Sequence, residues 1–327
     1  MDYRTYKMKT LAEKPEVRAE YEQLGPQYEA ICAAIESRKA AGLTQKQLAE
    51  KMGTDIISAD SAQIYIGMDI GTAKPDREEQ NRVRHHLIDI VRPDEENFNA
   101  FAFSKAAETV INENTYKQPL IVGGTGLYFE TLFYGLDFSV TEETFKIRKE
   151  LKSFYEKYGE DALYEKLLAA DPESAKNVHK HNVKGVIRAL EIFSTGGKKK
   201  SDAVGKKRLP VKDFKLYILN DERESLYASI NRRVDIMIEK GLFDEVENLL
   251  KIYPSTCRGL TAIGYKESVE YLSGSCTKDE AIALIKQHTR NYAKRQLTFF
   301  KRLSAVWIDK CETEKMCDFI LKDFYGR

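Results

Sequence analysis

Residues 119–129 read PLIVGGTGLYF, and residues 55–65 read DIISADSAQIY. In each stretch a short apolar run is followed at once by small and polar residues, a pattern typical of a buried strand that ends in a turn. Helical segments separate these from further apolar runs, so the predicted strands are Ile56–Ala59, Leu87–Val91, Leu120–Val122, Lys215–Leu219 and Ala305–Ile308. Strands that alternate with helices predict an α/β fold, with a mostly parallel sheet and helices on both faces.

The chain length of 327 residues corresponds to about two domains. From Thr141 to Thr195 the pattern is helical throughout, and a helix start is visible at Asp171-Pro172-Glu173. We therefore predict an all-helical subdomain over residues 141–195, inserted into a core made of residues 55–140 and 196–327.

Residues 1–54 form an atypical N-terminal segment for which we predict helices. Apolar residues recur at helical spacing from Pro26 to about Ala40, Gly42 interrupts the pattern, and Thr44 is a candidate cap for a second helix. The stretch SRKAAGLTQKQLAEKMGT resembles the opening of a repressor/antitoxin-type helix-turn-helix, but no second, groove-reading helix follows. A DNA-binding regulator is therefore the weakest of the candidate functions.

Global composition excludes several classes of protein. The 52 Lys and Arg residues balance 51 Asp and Glu residues, so a polyanionic partner has to be recognised by local clusters. No run approaches 18 apolar residues and the start lacks the apolar core of a signal peptide, so we expect a cytoplasmic protein without a membrane partner. Five scattered cysteines without CxxC spacing predict neither a structural zinc nor a disulfide framework.

Two segments are locally basic, residues 194–215 and residues 286–302. In the second, Lys286, Arg290 and Lys294 recur every fourth residue and form one cationic stripe on a helix that a Thr277-x-x-Glu280 capping box opens. Aromatic residues lie between them, as in nucleic-acid-binding surfaces, although an aromatic stripe also fits an ordinary core face.

Asp60 and the glycine-rich turn are the candidate reactive groups, because ligands of open α/β sheets bind beyond the carboxyl ends of strands. The Asp60 carboxylate is placed to act as a general base, or alternatively to cap a turn. Gly123-Gly124-Thr125-Gly126 can bring amides and a hydroxyl to an anion, or can simply pack a helix on a strand. His85-His86 suggests an acid/base pair or a metal ligand, but neighbours on a strand point to opposite faces, which favours a structural role.

Seven strings, taken together, resemble the tRNA dimethylallyltransferase (tRNA isopentenyltransferase) family over about residues 55–310. They occur in the family's order and approximate spacing, and are ISADSAQIYIGMDIGTAKP, HHLIDIV, LIVGGTGLYF, VIRALEIF, LYASINRRVDIMIEKGL, AIGYKE and IKQHTRNYAKRQLTFF. The resemblance implies a P-loop-kinase-like parallel sheet and transfer of a dimethylallyl group from its diphosphate to N6 of an adenosine beside the anticodon.

The resemblance also implies roles for individual residues. Asp60 would be the general base and Thr125 would lie near the reacting amine and the diphosphate. Residues implied to contact the tRNA anticodon stem-loop are Ser61, Ala62, Gln63, Arg148, Lys184, Arg188, Arg290, Lys294, Arg295 and Gln296. Residues implied to contact the diphosphate are Gly124, Arg223 and Arg233. The implied cofactor is Mg²⁺, and we expect a monomer.

One family feature is absent from the sequence. Family members begin with a strand and a P-loop, GxxxxGK[ST], which cradles the diphosphate. Here the corresponding stretch is SRKAAGLTQKQ, with one glycine and no GK[ST], and we predict no apolar strand before it. Three hypotheses follow: a tRNA prenyltransferase of normal or impaired activity, an inactive chimera that binds tRNA, and a helix-turn-helix regulator.

Overall fold

The computed structural model describes residues 30–35, 38–113, 118–135, 142–196, 210–310 and 312–326. Six parallel strands form one sheet in the order β3-β2-β4-β1-β5-β6. They are β1 (Ala30–Ile35), β2 (Ile56–Ser58), β3 (His85–His86), β4 (Leu120–Val122), β5 (Phe214–Asn220) and β6 (Val306–Asp309). The α/β class with a parallel sheet, predicted from the alternating pattern, is confirmed.

Helices follow the strands along the chain. In the described part they are α1 (Arg38–Met52), α2 (Arg77–Arg82), α3 (Ala100–Glu113), α4 (Gly126–Tyr134), α5 (Glu142–Ala170), α6 (Pro172–Asn177), α7 (Val183–Gly196), α8 (Arg223–Glu239), α9 (Leu242–Leu250), α10 (Tyr265–Leu272), α11 (Lys278–Phe300) and α12 (Thr313–Tyr325). Gly159, at φ 82°, divides α5 into two helical segments. A short 3-10 turn, Gly259–Thr261, precedes α10.

The chain divides into two compact units. Residues 1–136 and 210–327 form the first unit, which contains the sheet, and residues 137–209 form the second. The described residues of the second unit are helical, with one core in which Leu163, Leu167, Val186 and Leu190 are buried. Its helix α6 begins where the sequence predicted, because the Asp171 carboxylate accepts a hydrogen bond from the Ser174 amide.

The prediction of a helix from Pro26 to about Ala40 was wrong over Ala30–Ile35, whereas Arg38–Ala40 are helical as part of α1. Ala30–Ile35 forms strand β1, whose register pairs Cys32 with Ile121 of β4 on one side and with Leu216 of β5 on the other. Hydrogen bonding from two neighbours outweighs the helix propensity of the alanines. The prediction that no strand precedes α1 was therefore also wrong. Residues 26–29 lie outside the described part of the chain.

Gly42 does not interrupt a helix, and Thr44 does not cap one. Helix α1 runs from Arg38 through both residues to Met52. A single glycine costs only about 1 kcal/mol in a helix interior, which packing of the same helix can offset. Leu48 and Ala49 of α1 are fully buried against the sheet and against Met316 and Cys317 of α12.

The predicted strand Leu87–Val91 is also corrected. Strand β3 comprises only His85–His86, and Leu87 and Asp89 adopt left-handed φ angles of 61° and 54°. A strand cannot continue through such residues, so the chain leaves the sheet and pairs instead with the loop after β2, through a bridge between Tyr65 and Val91. The other four predicted strands are confirmed to within one residue at each end.

A second core lies under the helices that follow β5. Met68, Leu242, Val246, Tyr265 and Ile285 are buried together there. The Thr277 and Glu280 capping box that begins α11 is confirmed. Among the described helices, none is long and apolar enough to span a membrane.

Candidate active site

The site lies where β2 and β4 end side by side. Ser58, the last residue of β2, pairs with Val122, the last residue of β4. Beyond the strands the pairing continues, since the Ala59 amide donates to the Val122 carbonyl at 2.7 Å and the Thr125 amide donates to the Ala59 carbonyl at 3.1 Å. Both candidate stretches therefore meet at the carboxyl edge of the sheet, as the topology of such folds favours.

Thr125 joins the two turns through its hydroxyl group. Its Oγ1 accepts a hydrogen bond from the Ser61 amide at 2.9 Å and lies 3.1 Å from the Ser61 hydroxyl, to which it donates. This hydroxyl does not cap α4, although Thr125 directly precedes that helix. The contact holds the residue after Asp60 at a fixed distance from the glycine-rich turn.

Asp60 is almost fully buried, with 7% of its surface exposed. Its Oδ1 atom accepts the Ala62 amide at 2.9 Å and the Gln63 amide at 3.3 Å, which orders the turn. Turn capping and general-base chemistry were alternatives in the sequence. The structure shows that Oδ1 caps the turn. The two hydrogen bonds that it accepts fix the carboxylate in one orientation.

Gln63 is buried behind the turn and ties it to the loop that follows. Its Oε1 accepts the Ser58 hydroxyl at 3.0 Å, and its Nε2 donates to the carbonyls of Thr72 and Ala73. Every polar atom of the Gln63 side chain is therefore used within the protein. Contact of this side chain with RNA, which the resemblance implied, remains a prediction.

The glycine-rich turn packs closely against the Ala59 backbone and the Gln296 side chain. A Cβ on Gly123 would lie 2.2 Å from the Ala59 carbonyl oxygen, and one on Gly124 would lie 2.0 Å from Gln296 Nε2. Gln296 of α11 donates to the Gly124 carbonyl at 2.7 Å. The turn is thus held between the Ala59 backbone and α11, and Gln296 serves as its clamp.

A cavity opens beside Asp60 on the sheet. Its walls are formed by β2, β4, α1 and the loop before α2, and its lining includes Lys46, Ser58, Asp60, Gln63, Glu79, His85 and Gly123. Lys46 of α1 is buried, with only 7% of its surface exposed. A buried lysine facing a cavity places a positive charge beside the candidate base.

The implied diphosphate residues Arg223 and Arg233 both lie on α8. The Arg223 guanidinium is exposed and stacks on the Tyr227 ring at 5.3 Å, and Arg290 of α11 lies over the same ring at 5.9 Å. Arg290 also donates to Asn231 Oδ1 at 2.6 Å. Arg233 is half-buried on the same helix.

The cationic stripe of α11 is partly compensated within the protein. Lys286 pairs with Asp235 of α8 at 2.6 Å, so its charge is neutralised there. Lys294 and Arg295 are exposed, and the Arg295 guanidinium lies 5.6 Å from the Tyr292 ring centroid. Within the basic segment 286–302, the exposed cations of α11 are therefore Lys294 and Arg295.

In the second unit, Arg148 and Arg188 converge on one acidic group. Glu191 is 1% exposed, and its Oε1 lies 2.7 Å from Arg148 Nη2 and 3.1 Å from Arg188 Nη1. Lys184 is exposed one turn away on the same helix. The carboxylate orients both guanidinium groups, and tRNA binding by these three residues remains a prediction.

The two adjacent histidines have structural partners. His85 Nδ1 lies 2.8 Å from the Val83 carbonyl, and burial lowers the pKa of His85. His86 Nε2 lies 3.0 Å from an Asp55 carboxylate oxygen. Among the described residues no group of three or more His, Cys, Asp or Glu side chains could hold a metal ion.

Lys46 and Glu79 of the cavity were missed by the sequence reasoning. Position 46 precedes the buried Leu48 and Ala49 and lies on the inward side of α1, so a lysine there breaks the amphipathic pattern. Such a polar residue at a core position is a signal that the sequence contains. No comparable signal in the sequence marks Glu79 as a cavity residue, because the capping box that it forms with Asp76 already explains a glutamate at this position.

Known proteins of similar sequence are tRNA dimethylallyltransferases. A tRNA dimethylallyltransferase of Alkaliphilus oremlandii is 43% identical over 289 residues, which cover 85% of this chain and 91% of the relative. One of Acetivibrio thermocellus is 43% identical over 272 residues, covering 81% and 87%. Both alignments span most of each protein.

Solved structures give the same result. A tRNA delta(2)-isopentenylpyrophosphate transferase of Staphylococcus epidermidis, 37% identical, superposes with a TM-score of 0.66 over 91% of this chain and 100% of the other. A eukaryotic dimethylallyltransferase acting on tRNA shares the fold at a TM-score of 0.76 and 24% identity, covering 91% and 80%. The family model for IPP transferase matches residues 63–303, and with these relatives it shows that the chain belongs to the IPP transferase family.

Proposed function

We propose that this protein transfers a dimethylallyl group from dimethylallyl diphosphate to N6 of an adenosine adjacent to the anticodon of tRNA. The observation that supports this most directly is the joining of Asp60-Ser61 to Thr125 at the shared edge of β2 and β4. The names of the relatives support the reaction class, because they are tRNA dimethylallyltransferases.

Asp60 is the proposed general base. The exocyclic amine of adenine is a weak nucleophile, so it has to leave the base stack and lie against C1 of the allylic group. A bond forms between N6 and C1 while the bond from C1 to the diphosphate oxygen breaks, and the amine proton passes to the Asp60 carboxylate. The two amides that donate to Oδ1 hold the carboxylate in place for that transfer.

Thr125 and Gly124 are proposed to position the reacting groups. The Thr125 hydroxyl is already oriented by Ser61, and the Gly124 backbone is fixed by Gln296. A preorganised hydrogen-bonding group loses little entropy when charge develops at the site. The departing diphosphate is the group on which most negative charge accumulates.

Mg²⁺ is proposed to accompany the diphosphate. Oxygens of the substrate and water would supply most of its coordination, as is usual for Mg²⁺ bound to phosphates. When bound, Mg²⁺ would neutralise charge on the leaving group. Arg223 and Arg233 are the further cations that we propose for the diphosphate.

The tRNA anticodon stem-loop is the proposed partner. Lys294 and Arg295 are exposed on α11, the helix whose Gln296 clamps the glycine-rich turn. Phosphate contacts by these cations would bring the RNA backbone to the active-site edge. Arg148, Lys184 and Arg188 of the second unit, and Ser61 and Ala62 beside Asp60, complete the proposed RNA contacts.

Replacement of Asp60 tests the proposal. Asp60→Asn retains shape and can still accept amides but cannot take the proton, so transfer to an anticodon stem-loop should fall by roughly 10²–10⁴. RNA binding should stay within about twofold, because an uncharged group replaces one that faces the amine. Asp94→Asn, an exposed change in the same unit, is the matched control and should leave transfer unchanged. Equal activity of the Asp60→Asn protein would reduce Asp60 to a turn residue.

A related proposal concerns the rate. The lysine of a GxxxxGK[ST] loop is missing, so we propose that transfer is slower than an intact loop would allow. Losing one preorganised donor to a developing anion costs about 2.7–4 kcal/mol in measured cases. An inactive protein that binds tRNA is the limiting form of this proposal, and the transfer assay with the unaltered protein separates the two.

A further inference from the structure

By sequence alone, SRKAAGLT at positions 37–44 is the stretch that most nearly matches GxxxxGK[ST]. Gly42 and Thr44 match the motif in this alignment, and Leu43 stands where the motif has lysine. Positions 38–44 belong to helix α1. The chain therefore has no lysine at the position that the motif gives to one.

Lys46 lies three residues beyond that position on the same helix. Residues three apart share one helical face, and at 1.5 Å per residue the displacement along the axis is about 4.5 Å. A side chain as long as lysine can reach back over such a distance. Lys46 therefore lies on the same face of α1 as position 43.

The surroundings of Lys46 favour an anionic ligand. The residue is 7% exposed and lines the cavity that Asp60 and Gly123 also line. No hydrogen bond or ion pair is formed between Lys46 and another side chain of the described part. The carboxylates of the cavity have other partners, since Asp60 Oδ1 accepts two amides and Glu79 Oε2 accepts the Asp76 amide.

The remaining titratable group of the cavity is His85. Burial lowers the pKa of its imidazole, and the Lys46 charge lowers it further, which disfavours a second positive charge in the cavity. A buried ammonium group without a carboxylate in contact is unfavourable unless a ligand pairs with it.

We infer that Lys46 binds the diphosphate of the substrate and stabilises it as the leaving group, in place of the lysine that the loop lacks. This inference rests on the proposed function, because it assigns the cation of the same site. Lys46 would be a catalytic residue, in contact with a phosphate oxygen as the bond from C1 to the diphosphate breaks.

Binding of inorganic diphosphate, measured by calorimetry, tests the inference without tRNA and without turnover. Lys46→Met should weaken binding by about tenfold or more, as expected when a charge-assisted hydrogen bond is removed. Lys51→Met removes a charge from the same helix, where Lys51 faces Asp318 instead, and should bind diphosphate like the unaltered protein. If Lys46→Met fails to fold by its melting transition, Lys46→Gln takes its place and should show the same loss.

The outcomes separate this inference from the proposed function. Equal binding by the unaltered and Lys46 variants, or no binding by the unaltered protein at millimolar diphosphate, overturns the role of Lys46 even if transfer to tRNA is observed. Diphosphate binding that depends on Lys46, in a protein that transfers nothing to an anticodon stem-loop, supports the inference and contradicts the proposed function.

Discussion

Glu245 of α9 organises the loop that supports the candidate active site. Its removal should lower the free energy of unfolding. Its carboxylate accepts the amides of Asp69 at 3.1 Å, Ile70 at 2.8 Å and Gly71 at 3.3 Å, and also the Tyr265 hydroxyl at 2.6 Å. The next two residues of the same loop, Thr72 and Ala73, offer the carbonyls that hold Gln63. Glu245 therefore supports the turn that contains Asp60 through one intermediate side chain.

The size of the effect follows from the groups left without an acceptor. In Glu245→Ala the hydroxyl of Tyr265, a residue with no exposed surface, loses its acceptor, while the three amides are partly accessible to water. An unsatisfied buried polar group costs about 1–3 kcal/mol, and removal of the charge-assisted bonds adds to it, so the free energy of unfolding should fall by about 3–4 kcal/mol. Glu245→Gln keeps one acceptor oxygen and should lose about half as much.

Urea unfolding provides the assay. Trp307, the one tryptophan of the sequence, lies in β6 of the same compact unit, so its fluorescence follows the unfolding of this unit. Hydrogen exchange at residues 69–71 should accelerate in parallel, and the transfer rate should fall because Gln63 loses its partners. Each readout reports a different step between Glu245 and Asp60.

Glu247→Ala is the matched control, since Glu247 is exposed on the same helix. Both changes introduce alanine into the same helix and remove the same charge. Only Glu245 lies in the first turn, where the helix dipole contributes about 0.3–1 kcal/mol, so a difference larger than that reports the hydrogen bonds of Glu245. A difference below about 1 kcal/mol between the two variants would refute the reasoning, because the four hydrogen bonds would then contribute little to the folded state.

Three further predictions concern RNA, pH and the phosphate loop. The double variant Lys294→Ala, Arg295→Ala should weaken stem-loop binding and reduce the slope of log Kd against log salt by about 1 for each RNA phosphate that these side chains neutralise, and an unchanged slope would show that they bind no phosphate. The Tyr217 hydroxyl and Lys215 hold the pKa of Asp323 below its usual value. The contribution of Asp323 to stability should therefore be present at pH 7 and lost as the pH falls below about 4. In thermal melts, Asp323→Asn should destabilise the protein by about 1 kcal/mol or less at pH 7 and should have no effect at pH 3. Replacing residues 37–44 by GPTASGKT should raise the transfer rate about tenfold or more, and an unchanged rate would show that the loop is not limiting.

The sequence predicted the elements whose pattern is local. Leu120–Val122 is apolar and ends in glycines, and Thr277 with Glu280 forms a capping box, so neither depends on distant residues. Ala30–Ile35 is different, because AICAAI suits a helix as well as a strand. Its state is set by hydrogen bonds to β4 and β5, which follow it in the chain by about 90 and 180 residues. Such long-range pairing is not visible in a local window.

The same limit applies to the site. Asp60 and Thr125 were each predicted from a strand end, but their contact requires that β2 and β4 be neighbours in the sheet. Likewise the left-handed Leu87 and Asp89 end β3 early, although LIDIV has a strand-like composition. Sequence reasoning thus found the candidate reactive groups, and the strand order determined that Asp60 and Thr125 lie together.

Strand β1 also changes what the absent GK[ST] means. If the strand were missing, the sheet would have two unpaired edges at its centre, and loss of function would follow from loss of the fold. With β1 paired on both sides, the central strand of the sheet is present, and the departure from the motif is one of sequence within positions 37–44, of which 38–44 are helical. A local departure can be compensated by a charge one helical turn away, which is the position that Lys46 occupies.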